Sequence, residues 1–165
     1  MPTVNSSLIG ASLTSSDATA LFALGTLADA TDGHYQYVEV TSTLITGELV
    51  LILPTGTAKA LVTAELTGGS QGQWIGVAQG QINQSEFGWV ATQGRNLYVL
   101  CTGTVTALGS GGPAFSANSG RLQNAAAVGV GATAFGIWIT TSASTATASV
   151  ARATLTFPRS VQPLA

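Results

Sequence analysis

The chain contains a single histidine, His34, so any imidazole chemistry must run through "TDGHYQYVEV" at 31–40. A Ser-His-Asp relay would have to use it, yet His34 directly follows Asp32-Gly33, a hairpin-type turn signal. A turn-flanking or interface role is the better reading of that residue. The same stretch imitates the second half of an EF-hand loop through Asp32, Gly33 and Glu39. Its first half fails, because the positions that need Asp or Asn are Ala28 and Ala30, and calcium requires six to eight oxygen ligands. "GVGATA" at 129–134 satisfies G-x-G-x-x-A, a pattern that binds a pyrophosphate only where a strand passes into a helix. Another strand-like run, "FGIWITT", follows it instead. "PTGTAKA" lacks the spacing of a phosphate loop.

The carboxylates Asp17, Asp29, Asp32, Glu39, Glu48, Glu65 and Glu86 are singly spaced and nominate no acid–base pair. Cys101 is the only cysteine, which excludes an intrachain disulfide and a cysteine metal cluster. Between "YVL" and "TGTV" it reads as a small apolar strand residue. No catalytic residue, metal site or cofactor is expected, and the chain is not read as an enzyme.

Charged residues make up 7% of the 165 residues, with Lys+Arg 5 against Asp+Glu 7, whereas roughly a quarter is usual. The cations Lys59, Arg95, Arg121, Arg152 and Arg159 are scattered. Nucleic-acid affinity rests on clustered phosphate-neutralising cations, so no direct nucleic-acid binding is expected. Ala, Thr, Ser and Gly take the place of charge, and a surface so poor in charge suits one covered within an assembly. No apolar run approaches the ~20 residues of a membrane span. The N-terminus lacks a basic region and a continuous apolar stretch, so it is not read as a signal peptide; synthesis in the cytoplasm as a soluble protein is expected.

The elements that must position these residues are β in texture. "HYQYVEV", "ELVLIL" closed by Pro54, "AKALVTAEL", "QWIGVAQGQI", "GWVAT", "NLYVLCTGTVTAL", "VGVGATAFGIWITT" and "ATASVARATLTF" closed by Pro158 recur with turn signals about every ten residues, as in sandwiches and small barrels. In "SVARATLTF", Ala151, Ala153, Leu155 and Phe157 alternate with Val150, Arg152 and Thr154 and form the expected core face. "WIGVA" (74–78) and "FGIWIT" (135–140) each hold a glycine inside an aromatic strand, the mark of a bulge or close backbone approach. That likeness suggests equivalent places in a barrel.

The expected architecture is all-β, a compact β-sandwich or small β-barrel over 25–165 with an extended N-terminal arm over 1–24. A short helix over 16–24 is a further expectation. The arm's apolar residues Val4, Leu8, Ile9 and Leu13 are too dispersed for a core element and are the expected partner or subunit contacts. Trp74, Val77, Trp89, Val90, Tyr98, Val99, Ile137 and Ile139 are expected in the core or a subunit interface.

The order of these pieces resembles a group of small β-rich virion proteins of tailed bacteriophages, the capsid decoration or cement proteins. The residues that carry the likeness are "TDGHYQYVEV" and "LITGELVLI", then "IGVAQGQINQSEFGWVATQG" and "LYVL". "SGRL", "GIWITT" and a last strand ending "LTFP" complete it, over about residues 25 to 158. The resemblance implies a structural virion protein on the outside of the major capsid protein lattice. It also implies a homotrimer that bridges capsomers. A second reading is a carbohydrate-binding β-sandwich module of a fibre or adhesin, with Trp74, Trp89, Trp138 and Tyr35 as a stacking platform.

Overall fold

The computed structural model describes residues 12–62, 73–101, 114–115, 120–123, 133–141 and 149–161. The expected arm residues Val4, Leu8 and Ile9 lie outside them, as does much of the "TTSASTATASV" segment. No helix occurs among the described residues, and eleven strands form one connected sheet. They are β1 (Ser16–Asp17), β2 (Leu27–Asp29), β3 (Gly33–Val40), β4 (Leu49–Ile52), β5 (Thr57–Ala60) and β6 (Trp74–Ala78), followed by β7 (Phe87–Cys101), β8 (Ala114–Phe115), β9 (Leu122–Gln123), β10 (Thr133–Thr141) and β11 (Ser149–Val161).

Five of them close a barrel. Strand β3 pairs with β7, β7 with β6, β6 with β4 and β4 with β5, all antiparallel. The ring shuts where Glu39 and Val40 of β3 lie parallel to Thr57 and Ala58 of β5. Alternation sorts each strand into two faces. Val38, Val40, Val50, Ile52, Ala58, Ala78 and Val90 belong to one buried cluster to which all five barrel strands contribute, and this is the lumen. Their neighbours Tyr35, Tyr37, Leu49, Leu51, Ile75, Val77, Trp89 and Ala91 point outward into a second and larger cluster with Val99, Ile137, Ala151, Ala153 and Leu155. Strand β4 is therefore buried on both faces, which explains why "LVLI" is an unbroken apolar run.

The second layer is built on β7. Beyond Gln93 this strand pairs with β11, and β10, β8 and β9 extend the sheet. The sequence suggests two strands, "GWVAT" and "NLYVL", separated by "QGRN"; the structure runs them together through two bulges. One leaves Thr92 unmatched opposite the His34–Tyr35 step, and the other inserts a residue opposite Ala153–Leu155. Asn96 takes the left-handed conformation, φ 61°, within the second bulge; Asn adopts that conformation more readily than most residues. Ala151, Ala153 and Leu155 are buried as the alternation predicts, and Val150 is exposed.

Three expectations are corrected. No helix spans 16–24: Ser16–Asp17 pairs with Gly88 and Phe87 of β7, and Phe22 packs on the core. Pro158 does not end β11, which continues to Val161. The proline sits at a register shift, where a missing N–H disrupts no regular ladder. The segments 74–78 and 135–140 are not equivalent either, since β6 is a barrel wall and β10 pairs only with β11 and β8.

The segment 12–24, read from sequence as part of the arm, lies along the barrel. Leu13 and Phe22 are partly buried against the larger core cluster. The Phe22 ring lies 5.3 Å from both Tyr37 and Trp89, and Tyr37 lies 5.0 Å from Trp89. Leu21 N–H donates to the Tyr37 hydroxyl at 3.2 Å, and Ser16 Oγ donates to the Glu86 carboxylate. Trp89 is only 1% exposed at the centre of this cluster. Trp89→Ala is expected to cost roughly 3–5 kcal/mol, read as a lower denaturation midpoint with an unchanged far-ultraviolet β spectrum.

Candidate functional site at the barrel mouth

The two ends of the barrel differ. At one end Leu44 and Ile82 form an isolated antiparallel bridge, and both side chains are buried. Gly88 makes room there, since a Cβ would lie 2.7 Å from Ile82 Cδ1. That end is plugged.

At the other end the last lumen-side positions of four strands converge: Gln36 of β3, Ile52 of β4, Trp74 of β6 and Thr92 of β7. They line two adjoining cavities of about 570 and 360 Å³, which share Gly25, Gln36 and Trp74. Barrel mouths are recurrent ligand sites. The larger cavity is walled by Leu24 and the β4–β5 turn, Leu53 to Gly56; the smaller is walled by Leu27, Asp29 and His34. Gly56 holds a left-handed φ of 83°, and Leu24 Cβ packs where its side chain would begin, so the turn requires glycine.

His34 and Asp29 face each other across the β2–β3 hairpin, and His34 Nδ1 meets Asp29 Oδ1. Thr92 Oγ1 donates to the His34 carbonyl at 3.3 Å. Trp74 is 37% exposed, and Leu27 beside it is 70% exposed. Gln73, in the wall of the larger cavity, has a buried Oε1 with no hydrogen-bond partner. Among the described residues, no lysine or arginine side chain lines either cavity.

The four-ring platform suggested by the sequence does not form. Trp89 and Tyr35 are buried in the core, and Tyr35 donates from its hydroxyl to Asp32 Oδ2 at 2.7 Å. Burial, with Asp32 second, pushes its hydroxyl well above the ordinary tyrosine range. The Trp138 side chain lies outside the described residues. Of the described side chains of the set, only Trp74 stands at a cavity. No local signal separates it from Trp89, since Trp74 shares its side with Gly76 and Ala78 and Trp89 shares its side with Ala91.

Among the described residues no three His, Cys, Asp or Glu side chains converge as a metal site. Cys101 is buried, and burial pushes its thiol up to about 11. The expectation that no G-x-S-x-G nucleophile elbow exists is corrected by "GGSQG" at 68–72, which spells that pattern and lies outside the described residues. That pattern acts on a strand-to-helix turn, and no helix is present among those described. "DGHYQYVE" is a hairpin entering β3, and "TA" of "GVGATA" already belongs to β10.

Comparison with known proteins finds no family model that matches the chain and no curated protein similar to it in sequence.

Glu48, at the plugged end, is the most buried carboxylate at 6% exposure. It accepts from Ile45 N–H at 2.9 Å and packs under Gly120, with Arg121 nearby. Burial raises its pKa against the smaller opposing pulls of Ile45 and Arg121. A carboxyl raised in the folded state favours folding below its unfolded pKa, and that advantage is lost as pH climbs through the folded value. Glu86 has the opposite sign: hydrogen bonds from Ser16 and then Asn83 lower its pKa, so its contribution fades as pH falls. Glu48→Gln is therefore expected to raise the melting temperature at pH 7, with the gap to wild type closing toward pH 4. A lower melting temperature for the variant at pH 7 would mean that attraction to Arg121 outweighs burial.

Proposed function

We propose that the chain is a structural virion protein that binds the outside of a major capsid protein lattice, bridges capsomers and stabilises the particle. The reading begins with the likeness to tailed-bacteriophage decoration proteins. The stretches that carry it coincide with the β2–β3 turn and β3, with β4, with β6 to β7, and with parts of β9 to β11. Such a chain is made in the host cytoplasm and resides on the capsid surface.

The observation that carries the proposal is the distribution of exposed apolar side chains on a surface almost without charge. Leu21 and Leu27 sit on the segment leading into β3, Ile45 at the plugged end, and Tyr98 and Val150 on the β7–β11 sheet. Singly scattered apolar side chains are ordinary on a protein surface; on a chain with so little charge they leave several faces suited to meeting neighbours. Tyr98 is 43% exposed but firmly held. Its backbone N–H and carbonyl are bracketed by the Gln79 amide at 3.1 and 3.0 Å, and Arg152 stacks 3.6 Å above its ring. Tyr and Arg pre-positioned in this way are favoured interface anchors. The proposed assembly is a homotrimer, matching the threefold positions of a capsid.

The N-terminal residues supply reach. Because Leu13 and β1 are part of the packed body, the proposed free arm is shorter than the sequence suggests, about residues 2 to 11. Deleting 2–11 is expected to leave the melting temperature unchanged while weakening binding to expanded, empty capsids by about tenfold or more, as one of two linked contacts is lost. Val4→Ser/Leu8→Ser/Ile9→Ser should act likewise. Binding should depend weakly on salt, since few charges take part. Equal saturation by truncated and full-length chains would remove the arm from the proposal. No binding by the full-length chain, or no corresponding density on the particle by electron cryomicroscopy, would overturn the whole of it.

A further inference from the structure

We propose that the free edge of β2 is a docking site for an extended segment of another protein, which adds a strand there and places alternate side chains over the barrel mouth. The inference concerns the isolated protein and stands apart from the capsid reading.

In the β2–β3 ladder Ala30 and Gly33 exchange hydrogen bonds, and Tyr37 N–H donates to the Thr26 carbonyl. Antiparallel pairs alternate between bonded and unbonded, so Ala28 is bonded to Tyr35 in the same way. Leu27 and Asp29, opposite Gln36 and His34, therefore turn their N–H and C=O groups away from β3. Strand β2 is the last of the sheet, and among the described residues no backbone group meets these donors and acceptors. The edge is also open, with Leu27 70% exposed and the Asp29 side chain 42% exposed. Unpaired main-chain groups in a row are a template for a further strand, and another extended backbone matches both kinds of group at the right spacing. This match is with main chain and does not depend on the charge of the incoming side chains.

Side chains decide which segment fits. Residues opposite each other in a ladder share a face, so the residue set against Leu27 projects to the side where Leu27 and Asp29 wall the smaller cavity. A strand that continues past Gly25 reaches the larger cavity, where Leu24, Ile52 and Leu53 suit an apolar side chain. Gln73 Oε1 is buried in the wall of that cavity without a partner. Such an acceptor is costly, and a donor on the incoming segment would satisfy it. A second copy's β2 is the poorer occupant. The antiparallel pairing that uses all the free groups sets each Leu27 against the Asp29 carboxylate of the other copy, an apolar side chain against a charge. A segment that is apolar opposite Leu27 and polar opposite Asp29 avoids this conflict, which points to a different sequence supplied by another protein.

In the purified full-length chain alone, the Leu27 and Asp29 amides are expected to exchange with deuterium faster than those of Ala28 and Tyr35. A yeast-displayed library of random dodecapeptides then supplies probes, and each enriched peptide is synthesised and titrated by calorimetry. Bound peptide is expected to slow exchange at Leu27 and Asp29 about tenfold or more, and Leu27→Lys, which puts a charge on the edge, to weaken affinity by a similar factor. Methylating the peptide's backbone nitrogens one at a time should abolish binding at every second residue and spare those between. Circular dichroism and melting curves establish that Leu27→Lys folds; should it not, the methylation series carries the test alone. Leu27 and Asp29 amides already protected in the free monomer, or protected only as the concentration of the chain rises, would overturn the inference, since the chain itself or a second copy would then cover the edge. So would a library that yields no binder, or binders that leave these amides fast, ignore Leu27→Lys or show no alternation on methylation.

Discussion

Fifteen residues of β7, from Phe87 to Cys101, hydrogen-bond to five other strands, and this sharing holds the molecule together. One edge of the strand pairs with β3 up to Gly94. The other edge passes from β1 to β6 and then to β11. A flat strand could not do this, because the barrel and the second layer diverge in direction. The bulges at Thr92 and at Arg95–Asn96 bend and twist the strand at the point of divergence. Gly33 and Gly94 face each other there, with Gly33 pressed on the Gln93 backbone and Gly94 on the Asp32 carbonyl, a packing that admits no side chain. The hairpin carrying His34 and Asp29 is thus fixed to β7, the strand that the barrel and the second layer share.

The same strand organises the aromatic cluster. Phe87 and Trp89 project from β7 toward Tyr37, and Phe22 covers them from the N-terminal segment. Edge and tilted contacts of this kind add to the area that the rings bury. Burial also pushes the Tyr37 hydroxyl above its ordinary range, against the smaller opposing pull of the hydrogen bond it accepts from Leu21 N–H. The N-terminal segment is consequently part of the folded unit from about Leu13 onward. A boundary placed at residue 24 on composition alone misses this, because Ser/Thr-rich residues with scattered apolar positions look the same whether they are docked or free.

Strand identity was largely legible in the sequence, and strand connection was not. The period of two in "SVARATLTF" announced its core face, whereas "ELVLIL" read only as a strand, and its burial on both faces came from the structure. "QGR" falls between "GWVAT" and "NLYVL", which reads as a break between two strands, yet the chain there serves a bulge within one. The barrel-closing pair, β3 with β5, depends on a parallel register between residues far apart in the chain, and no local pattern encodes it. Trp74 and Trp89 illustrate the limit for the site. Both occupy apolar strands beside small residues, and only the three-dimensional arrangement places one at an open mouth and the other under Phe22.

The lumen explains why binding chemistry, if the barrel has any, belongs at its rim. Small barrels are filled by their own side chains, and here Val, Ile and Ala from all five strands meet across the axis with essentially no exposed surface. A Cβ on Gly76 would lie 3.1 Å from the Ala91 carbonyl and 3.2 Å from both Ile52 Cδ1 and Val90 Cγ2, so even a methyl group crowds the interior wall. A ligand cannot enter such a core. What the strands can offer is the set of residues one step beyond the packed layer, where β6 begins with Trp74 and β4 gives way to the Leu53–Gly56 turn. The far end is closed by Leu44 and Ile82. Among the described residues, the packing that makes the body rigid therefore also confines what the lumen-side positions of the barrel can display to a single mouth, held in place by paired strands.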